Sequence, residues 1–397
     1  FNAKKFAMVS HRKSRSFSYL CRNCRTSMTI MGNPFKFGTV VEGEYFTDRQ
    51  EEQRQVKEIL ASGNHLILIS PRRYGKTSLI QKVVKECGRP AFLLNLQLVT
   101  DVEDFASHLL KQVFKLYPMQ RIKHLLKHFR VVPTLTVNPM TEGMELAFQP
   151  FTDAYIVLED VLALIEKIGE KHEPPVVVLD EFQEINSLDK NLDKKLRAIL
   201  QVQSHVNYIF LGSQESMMQE IFERKKSPFY HFGYLMHLKK IPQTDFTAFL
   251  ENGFAQLGGE IEQRRATSSK ILDFTHCHPY YTQQLAFQTW NLWQQTGFSE
   301  KLVEDAIDSL VDMHDMDYER LWATFNRTDK KVLIGLTKNL GTPTGTLFLQ
   351  NQGIGSSSTV YSSLKRLNRA GYLLKNGSYE MDDPFFARWI IKRRAEA

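Results

Sequence analysis

The chain has 397 residues, of which 42% are hydrophobic and 24% are charged, so it is long enough for two or three globular domains. Its longest apolar runs, such as residues 66–69 and 176–179, fall far short of the roughly 18 residues of a spanning helix, which argues against insertion in a membrane. The four cysteines are scattered, which argues against a disulfide framework and favours a reducing, cytoplasmic environment.

The net charge of +7 lies at the N-terminal end of the chain. Residues 1–30 hold seven basic residues and no acidic ones, whereas residues 31–397 hold 44 of each. We interpret residues 1–30 as a disordered leader or an over-extended start, and the alternative is a basic arm that binds phosphates or addresses the protein. Cys21 and Cys24 form a CxxC pair there, but no second pair of Cys or His follows at the spacing of a structural zinc site.

Strands that alternate with helices dominate residues 31–241. After loop and turn, the pattern predicts a helix over 51–60, a strand over 66–70, a helix that ends near Gly88, a strand over 91–96, two helices in 101–130, a hairpin of 131–137 with 144–148, a helix over 153–169, a strand over 176–179, a helix over 193–203 and a strand over 208–211. We therefore expect an α/β domain with a parallel sheet and helices on both faces, in which residues 101–150 are an insertion.

Only helical spacing follows Pro242. Apolar residues recur at helical intervals in 246–257, 271–274, 280–293 and 302–311, which predicts a helical lid over residues 242–315. From residue 316 the pattern changes to short helices and a small hairpin that turns at Asn376 and Gly377, so we expect a third domain over residues 316–397.

The first predicted strand runs directly into the layout of a phosphate-binding P-loop. The segment is Ser70, Pro71, Arg72, Arg73, Tyr74, Gly75, Lys76 and Thr77, with Ser in place of the usual first Gly. In such a loop the backbone N–H groups surround a phosphate and the following helix points its positive end at it. Lys76 would contact the β- and γ-phosphates, and Thr77 would offer its hydroxyl to Mg²⁺. The alternative is an ordinary Gly/Lys turn before a helix.

A second apolar strand delivers two adjacent carboxylates, Asp180 and Glu181. Ligands of open α/β sheets bind at the carboxyl ends of the strands, where the P-loop also lies. Asp180 would hold Mg²⁺, and Glu181 would orient and deprotonate the attacking water. Alone, the pair is better explained as a solvated acidic turn, but together with the P-loop it predicts a site for ATP and Mg²⁺.

These motifs resemble those of the archaeal-type ATPases of the AAA+ and STAND group. The resemblance extends from Asn33 to nearly the end of the chain. It rests on Asn33, Pro34 and Phe35, on Phe46, Thr47, Asp48, Arg49 and Glu52, and on the P-loop through Ser78 with its double arginine. It implies that Asp48 and Arg49 lie at the nucleotide, and that Ser213 or Gln214 senses the γ-phosphate after the strand at 208–211. It also implies that His278 and Pro279 form a turn near the nucleotide, although from the sequence alone a helix N-terminus with Pro in its first turn is the better explanation of this pair.

One departure from the family pattern concerns a catalytic arginine. Where the family has a Gly-Arg pair, this chain has Ser227, Pro228, Phe229, Tyr230, His231 and Phe232. An arginine finger contributes about 10³ to 10⁵ in rate, so we expect slow hydrolysis unless Arg224 or a partner supplies the charge.

Residues 328–381 resemble a winged helix, with a recognition helix over 356–370 and a wing over 372–381. On that helix Val360, Leu364 and Leu367 share one face, whereas Ser358, Ser362, Lys365, Arg366 and Arg369 share the other. The polar face would contact DNA or a protein client, and the neutral body of the chain weakens the case for DNA. We therefore expect an ATP-binding or ATP-hydrolysing switch that acts through its winged helix and forms an oligomer or works alone. The alternatives are a regulator gated by ATP or ADP with little turnover, and a DNA-binding regulator.

Overall fold

The structure of the chain is built around one parallel sheet and a large helical region. The computed structural model describes residues 32–47, 49–127, 129–130, 134–137, 144–147, 153–338 and 340–395. The strands in these residues are β1 (Leu66–Ile69), β2 (Ala91–Asn95), β3 (Thr134–Val137), β4 (Met144–Ala147), β5 (Val176–Asp180), β6 (Asn207–Gly212), β7 (Tyr234–His237), β8 (Leu373–Asn376) and β9 (Ser378–Met381).

The helices flank the sheet and then continue without strands up to β8. Their bounds are α1 (Gln50–Ala61), α2 (Lys76–Glu86), α3 (Val102–Leu116), α4 (Met119–Leu126), α5 (Ala154–Lys171), α6 (Ile185–Leu188), α7 (Leu192–Leu200), α8 (Glu215–Phe222), α9 (Gln243–Phe254), α10 (Ile261–Thr275), α11 (Pro279–Thr296), α12 (Leu302–Met313), α13 (Asp315–Thr324), α14 (Arg327–Thr337), α15 (Thr346–Gln352), α16 (Ser357–Arg369) and α17 (Pro384–Ile390).

The order of the strands explains how distant segments of the chain meet. The sheet is β2-β5-β6-β1-β7, and every pair in it is parallel. All carboxyl ends therefore lie at one edge, where the loop after β1 and the loop after β5 face each other past the end of β6. β1 and the first four residues of β5 are completely buried, as expected for strands covered on both faces.

Apolar side chains fill two separate layers, one on each face of the sheet. Leu66 and Leu68 of β1 pack with the apolar faces of α1 and α2. Ile67 and Ile69 of the same strand point to the opposite face, where α3, α5, α7 and α8 pack. This alternation follows from the two-residue period of a strand. The prediction of an α/β domain with helices on both faces is confirmed.

The helical region and the C-terminal residues share a single core. Apolar side chains of α9, α10, α11 and α12 pack in the same cluster as those of α13, α14, α16 and α17. Trp290 of α11 and Trp389 of α17 are among its largest buried members. The predicted boundary between 315 and 316 therefore separates sequence patterns but does not separate two independent cores.

The C-terminal residues contain the helices and the hairpin that the sequence predicts. α14, α15 and α16 pack beside the antiparallel pair β8–β9, which turns between Asn376 and Ser378. The hairpin also touches the sheet domain: Leu374 packs in the cluster of α1 and α2, and the Lys240 ammonium lies 3.0 Å from the Glu380 carboxylate. The C-terminal module is therefore docked on the α/β core.

Several elements were not predicted from the sequence, namely α6, α8, β7, α13 and α17. β7 is an edge strand with only Met236 fully buried, so it lacks the apolar run that identified β1 and β5. The predicted hairpin is confirmed for β3 and β4, and its remaining residues, 131–133 and 148, lie outside the described residues. The same is true of the predicted leader over residues 1–30. In the part of the chain that the structure describes, no helix combines the length and the apolar character that crossing a membrane requires.

Gly169, near the end of α5, offers a test of the packing that positions β6. A Cβ atom at this position would lie 2.0 Å from the His205 carbonyl oxygen, in the loop that leads into β6. We expect Gly169→Ala to lower the free energy of unfolding by about 1–3 kcal/mol, because a backbone carbonyl cannot yield as a flexible side chain would. The control is Glu170→Ala at the exposed neighbouring position, which should change the free energy of unfolding by less than about 0.5 kcal/mol. Equal stability of the two variants in urea unfolding would contradict the close packing.

Candidate nucleotide-binding site

The loop between β1 and α2 has the backbone geometry of an anion cradle. Gly75 is the N-cap residue of α2 and has a φ of 85°, and Arg73 also lies in the left-handed region with a φ of 64°. Gly reaches this region without steric cost, whereas a side chain at 75 would strain the turn. No side chain caps α2, so its positive end is left for an anion.

Lys76 is buried and held by the backbone of its own loop. Its Nζ donates to the Ser70 carbonyl oxygen at 2.9 Å and to the Pro71 carbonyl oxygen at 3.0 Å, and the side chain is only 6% exposed. Burial lowers the pKa of Lys76 to about 8, although the carboxylates of Glu181 and Asp180 oppose the shift. The ammonium is thus poorly compensated, and a phosphate oxygen would stabilise it.

Thr77 and Asp180 meet across the edge of the sheet, as the sequence suggested. The Thr77 hydroxyl donates to Asp180 Oδ2 at 2.8 Å. Burial raises the pKa of Asp180, while the Thr77 hydrogen bond opposes that rise. A hydroxyl and a carboxylate are both hard oxygen ligands, so this pair fits Mg²⁺. Among the described residues no cluster of three or more His, Cys, Asp or Glu could hold a metal, so the remaining ligands would come from phosphate and water.

Glu181 is held in place by two polar side chains. Its Oε2 accepts a hydrogen bond from the Ser213 hydroxyl at 2.6 Å and another from the Gln183 amide. The backbone of Glu181 lies in the left-handed region with a φ of 53°, which is uncommon for a non-glycine residue and occurs often at functional sites. Ser213 follows β6, so the strand between β1 and β5 supplies the group that orients this carboxylate.

These residues border a cavity of about 720 Å³, which is a suitable size for a nucleotide. It is lined from the P-loop side by Arg72, Arg73, Gly75, Lys76, Thr77 and Ser78, from β5 by Asp180 and Glu181, from the N-terminal segment by residues 36–41, and from α11 by Pro279, Tyr280 and Gln283. The motifs therefore identified one wall, and the N-terminal segment, α11 and Gln97 after β2 form the rest.

The N-terminal segment closes the cavity because both of its ends are anchored. Phe35 is buried against α9, and the Lys36 amide donates to Gln283 Oε1 at 3.0 Å. Further along, the Val41 amide donates to the Ser78 hydroxyl of α2 at 3.1 Å. Sequence analysis treated this segment as loop and turn. The only motif in this segment is Asn33-Pro34-Phe35, which does not predict that residues 36–41 line the cavity.

Arg49 contacts the P-loop and does not line the cavity. It is buried, and its guanidinium donates to the Tyr74 carbonyl oxygen at 3.1 Å and pairs with Glu52 at 2.9 Å. The side chain therefore braces the loop through the Tyr74 carbonyl group. Asp48, expected beside it, lies outside the described residues.

His278 and Pro279 form the start of α11, close to the P-loop. His278 is the N-cap residue, and its ring accepts from the Tyr280 amide while Pro279 occupies the first turn. The ring packs edge-on against Tyr74, with centroids 4.9 Å apart, and its Nε2 lies 3.7 Å from Asp382 Oδ1 after β9. Pro279 lines the cavity, whereas His278 joins the P-loop to the C-terminal module.

The remaining expected residues lie at the margins of the site. Ser70 is completely buried at the end of β1, and Pro71 and Ser213 line a neighbouring cavity. Arg224 follows α8 and borders a third cavity with Asp193 and Lys194, so it does not face the expected phosphates in this structure. The roles of these residues in catalysis stay predictions.

Comparison with known proteins places this geometry in a family. Residues 46–285 match the family of ATPase domains that come predominantly from Archaea, and residues 316–392 match the family described as a probable winged helix domain. The first match covers more than half of the chain. The chain belongs to this ATPase family.

A curated relative and two solved structures are similar to this chain. An uncharacterised ATP-binding protein of Methanocaldococcus jannaschii is 27% identical over an alignment of 168 residues, with 38% of this chain and 46% of the relative covered. The chain thus spans less than half of that relative's length.

A Walker-type ATPase of Pyrococcus abyssi has a TM-score of 0.63 at 17% identity, covering 88% of this chain and 97% of that one. The Aeropyrum pernix ORC2 protein, solved in ADPNP and ADP complexes, has a TM-score of 0.54 at 15% identity, with 91% and 100% covered. At these identities the likeness shows the fold alone.

The lowered pKa of Lys76 predicts how ATP binding depends on pH. Because the pKa is about 8 in the free protein, Lys76 loses its proton as the pH rises above that value. A bound phosphate restores the pKa, so binding at about pH 9 should take up a proton and affinity should fall with rising pH. Calorimetric titrations in two buffers of different ionisation enthalpy measure this uptake. The uptake should fall to about a quarter of a proton near pH 7.5, and an affinity that is constant across the range would contradict the shift.

Proposed function

We propose that the protein binds ATP with Mg²⁺ in the 720 Å³ cavity and hydrolyses it slowly, as a switch that acts on its winged helix. The observation that carries the proposal is the meeting of Lys76 with the Thr77–Asp180 pair at one edge of the sheet. A buried cation and a buried carboxylate at this edge suit a phosphate and a metal ion. The family of the chain and the ATP-binding relative support the choice of nucleotide.

Different residues of the site have different roles in the proposed hydrolysis. Lys76 and the N-terminus of α2 hold the phosphates, and Thr77 and Asp180 hold the metal ion. Bound Mg²⁺ would polarise the γ-phosphate and neutralise its developing charge. Glu181 orients the attacking water and accepts its proton, and Ser213 fixes the position of that carboxylate and senses the γ-phosphate.

A chain of contacts connects the nucleotide cavity to the winged helix. Arg73 lines the cavity, donates to the Tyr281 hydroxyl at 3.2 Å and lies over the Tyr280 ring at 4.5 Å. The next P-loop residue, Tyr74, packs on His278, which lies beside Asp382 of the winged helix. Phosphate that moves Arg73 would therefore change contacts of α11, and because α11 shares a core with the winged helix the two would move together.

A second candidate is a regulator that binds ATP or ADP with little turnover. The observation that favours it is the engagement of Glu181 Oε2 by both Ser213 and Gln183, two hydrogen bonds that compete with a water for this oxygen. The absence of arginine from residues 227–232 points the same way. Phosphate release followed over hours, with Lys76→Ala as the blank, separates the two candidates.

Two substitutions test the division of roles at the nucleotide site. Lys76→Ala should abolish ATP binding, because it removes the cation that contacts the phosphates. Glu181→Gln should retain binding and lose turnover by about 10²-fold or more, because the amide cannot accept a proton. Equilibrium binding and phosphate release measure the two effects, with Lys82→Ala, a half-buried position of α2 that does not line the cavity, as the control. Equal loss of binding in both variants would contradict the assigned roles.

The partner of the winged helix is proposed to bind the polar face of α16. Ser358, Ser362 and Lys365 are exposed there, whereas Arg366 is held by Asp329 of α14 at 2.5 Å. This face suits the phosphates of DNA, and a protein client is the alternative.

DNA binding through this face predicts a specific dependence on salt. The affinity should fall linearly with the logarithm of salt concentration, because bound phosphates release counterions. Lys365→Gln should reduce that slope by about 1. Fluorescence anisotropy of a labelled duplex measures the slope, and binding that is absent or insensitive to salt would exclude DNA as the partner.

A further inference from the structure

A second cavity, of about 530 Å³, lies between the α/β core and the winged helix. The P-loop and the residues after β6 form one side of it, and the C-terminal end of α16 with the start of β8 forms the other. It shares only Arg72 and Arg73 with the nucleotide cavity. The volume is that of a site for a small molecule, and two domains build it.

Arginines from both domains line this cavity. Arg72 belongs to the P-loop and Arg369 to the last turn of α16, and neither makes a hydrogen bond or ion pair with the residues that the structure describes. A single unpaired arginine on an open surface needs no partner. Two that line one concavity from opposite domains leave two guanidinium groups without a paired carboxylate there, and the planar guanidinium is suited to phosphate.

Carboxylates on the same walls restrict what the ligand can be. Asp382 and Glu215 line the cavity, whereas Asp383 is already satisfied by the Phe385 and Phe386 amides and by the Tyr318 hydroxyl. A nucleic-acid backbone presents only acceptors along its phosphates and would be repelled by these carboxylates. A ligand that fits must combine an anionic group with hydroxyl or amino donors.

The apolar part of the lining adds to the description of the ligand. Tyr281, Tyr372 and Phe386 line the cavity together with Leu321, so aromatic and aliphatic surface is available beside the charged groups. Such surface covers a sugar or a flat heterocycle while polar groups fix its orientation.

We propose that the cavity between the P-loop and the winged helix binds a second ligand, a small phosphorylated molecule with hydroxyl or amino donors, such as a nucleoside phosphate or a sugar phosphate. Arg72 and Arg369 bind the phosphate from opposite sides, and Asp382 and Glu215 accept from the donors. The ligand holds the two domains together because it contacts both.

Occupancy of this cavity would be sensed at the nucleotide site. Ser213 lines the cavity and donates to Glu181 at 2.6 Å, and Arg72 borders both cavities. A ligand in the second cavity therefore acts on the residues that surround the γ-phosphate position. The binding itself does not depend on the cradle around Lys76, so it stands apart from the proposed ATP hydrolysis.

The test uses the full chain with Lys76→Ala, which removes binding at the P-loop, and three probes: AMP, ribose 5-phosphate and pyrophosphate. AMP or ribose 5-phosphate should bind in calorimetry and raise the melting temperature, and comparing them separates a nucleoside phosphate from a sugar phosphate. Pyrophosphate should bind more weakly, because it offers no donors to Asp382 and Glu215. If Lys76→Ala does not fold, the wild-type chain saturated with a non-hydrolysable ATP analogue replaces it.

Arg369→Gln identifies the site, because Arg369 does not line the nucleotide cavity. It should weaken probe binding by about tenfold or more, since it removes a charge-assisted hydrogen bond. Arg327→Gln is the matched control, with the same loss of charge at the exposed start of α14 outside both cavities, and should leave binding unchanged. Failure of all three probes to bind, tightest binding of pyrophosphate, or equal losses in the two variants would overturn the proposal. None of these results depends on whether the wild-type chain hydrolyses ATP.

Discussion

The whole arrangement depends on two parallel strands that end at the same edge of the sheet with β6 between them. Because β1 and β5 point the same way, the P-loop and the acidic pair meet although about a hundred residues separate them, and the Thr77–Asp180 hydrogen bond of 2.8 Å joins the two loops. The same edge buries the Lys76 ammonium against carbonyl oxygens, which lowers its pKa to about 8. A buried cation with incomplete compensation is unfavourable for folding and favourable for binding an anion. β6 contributes as well, because Ser213 at its end holds Glu181.

The helical region and the winged helix pack together as one unit beside the site. They share a core that runs from Phe35 through Trp290 to Trp389, so a shift of α11 would disturb the packing of the winged helix. The N-terminal segment joins this body to α2 at two points, Gln283 and Ser78. A nucleotide in the cavity would touch the P-loop, the segment and α11 at once. Contacts that a nucleotide makes with all three elements would change their relative positions, as a nucleotide-dependent switch requires.

The P-loop has a second neighbour besides the nucleotide. Arg72 and Arg73 stand between the nucleotide cavity and the cavity at the winged helix, so the double arginine that distinguishes this loop faces both. Arg73 is already engaged by Tyr280 and Tyr281, while Arg72 is left for an anion on either side. The site at the domain boundary and the ATP site are thus connected by adjacent residues of one loop.

The sequence by itself determined the α/β core, the P-loop, the acidic pair and the winged helix, because each depends on local patterns: apolar runs, helical spacing and a turn motif. It did not reveal β7, whose apolar signal is weak, or α8, which has only 8 residues, nor the role of residues 36–41. Only the tertiary structure showed that Arg49 braces the loop through the Tyr74 carbonyl group, that His278 contacts Asp382 and that Ser213 holds Glu181. These contacts join residues far apart in the chain. Their partners are set by strand order and by the packing of α11, and no local pattern of residues encodes either.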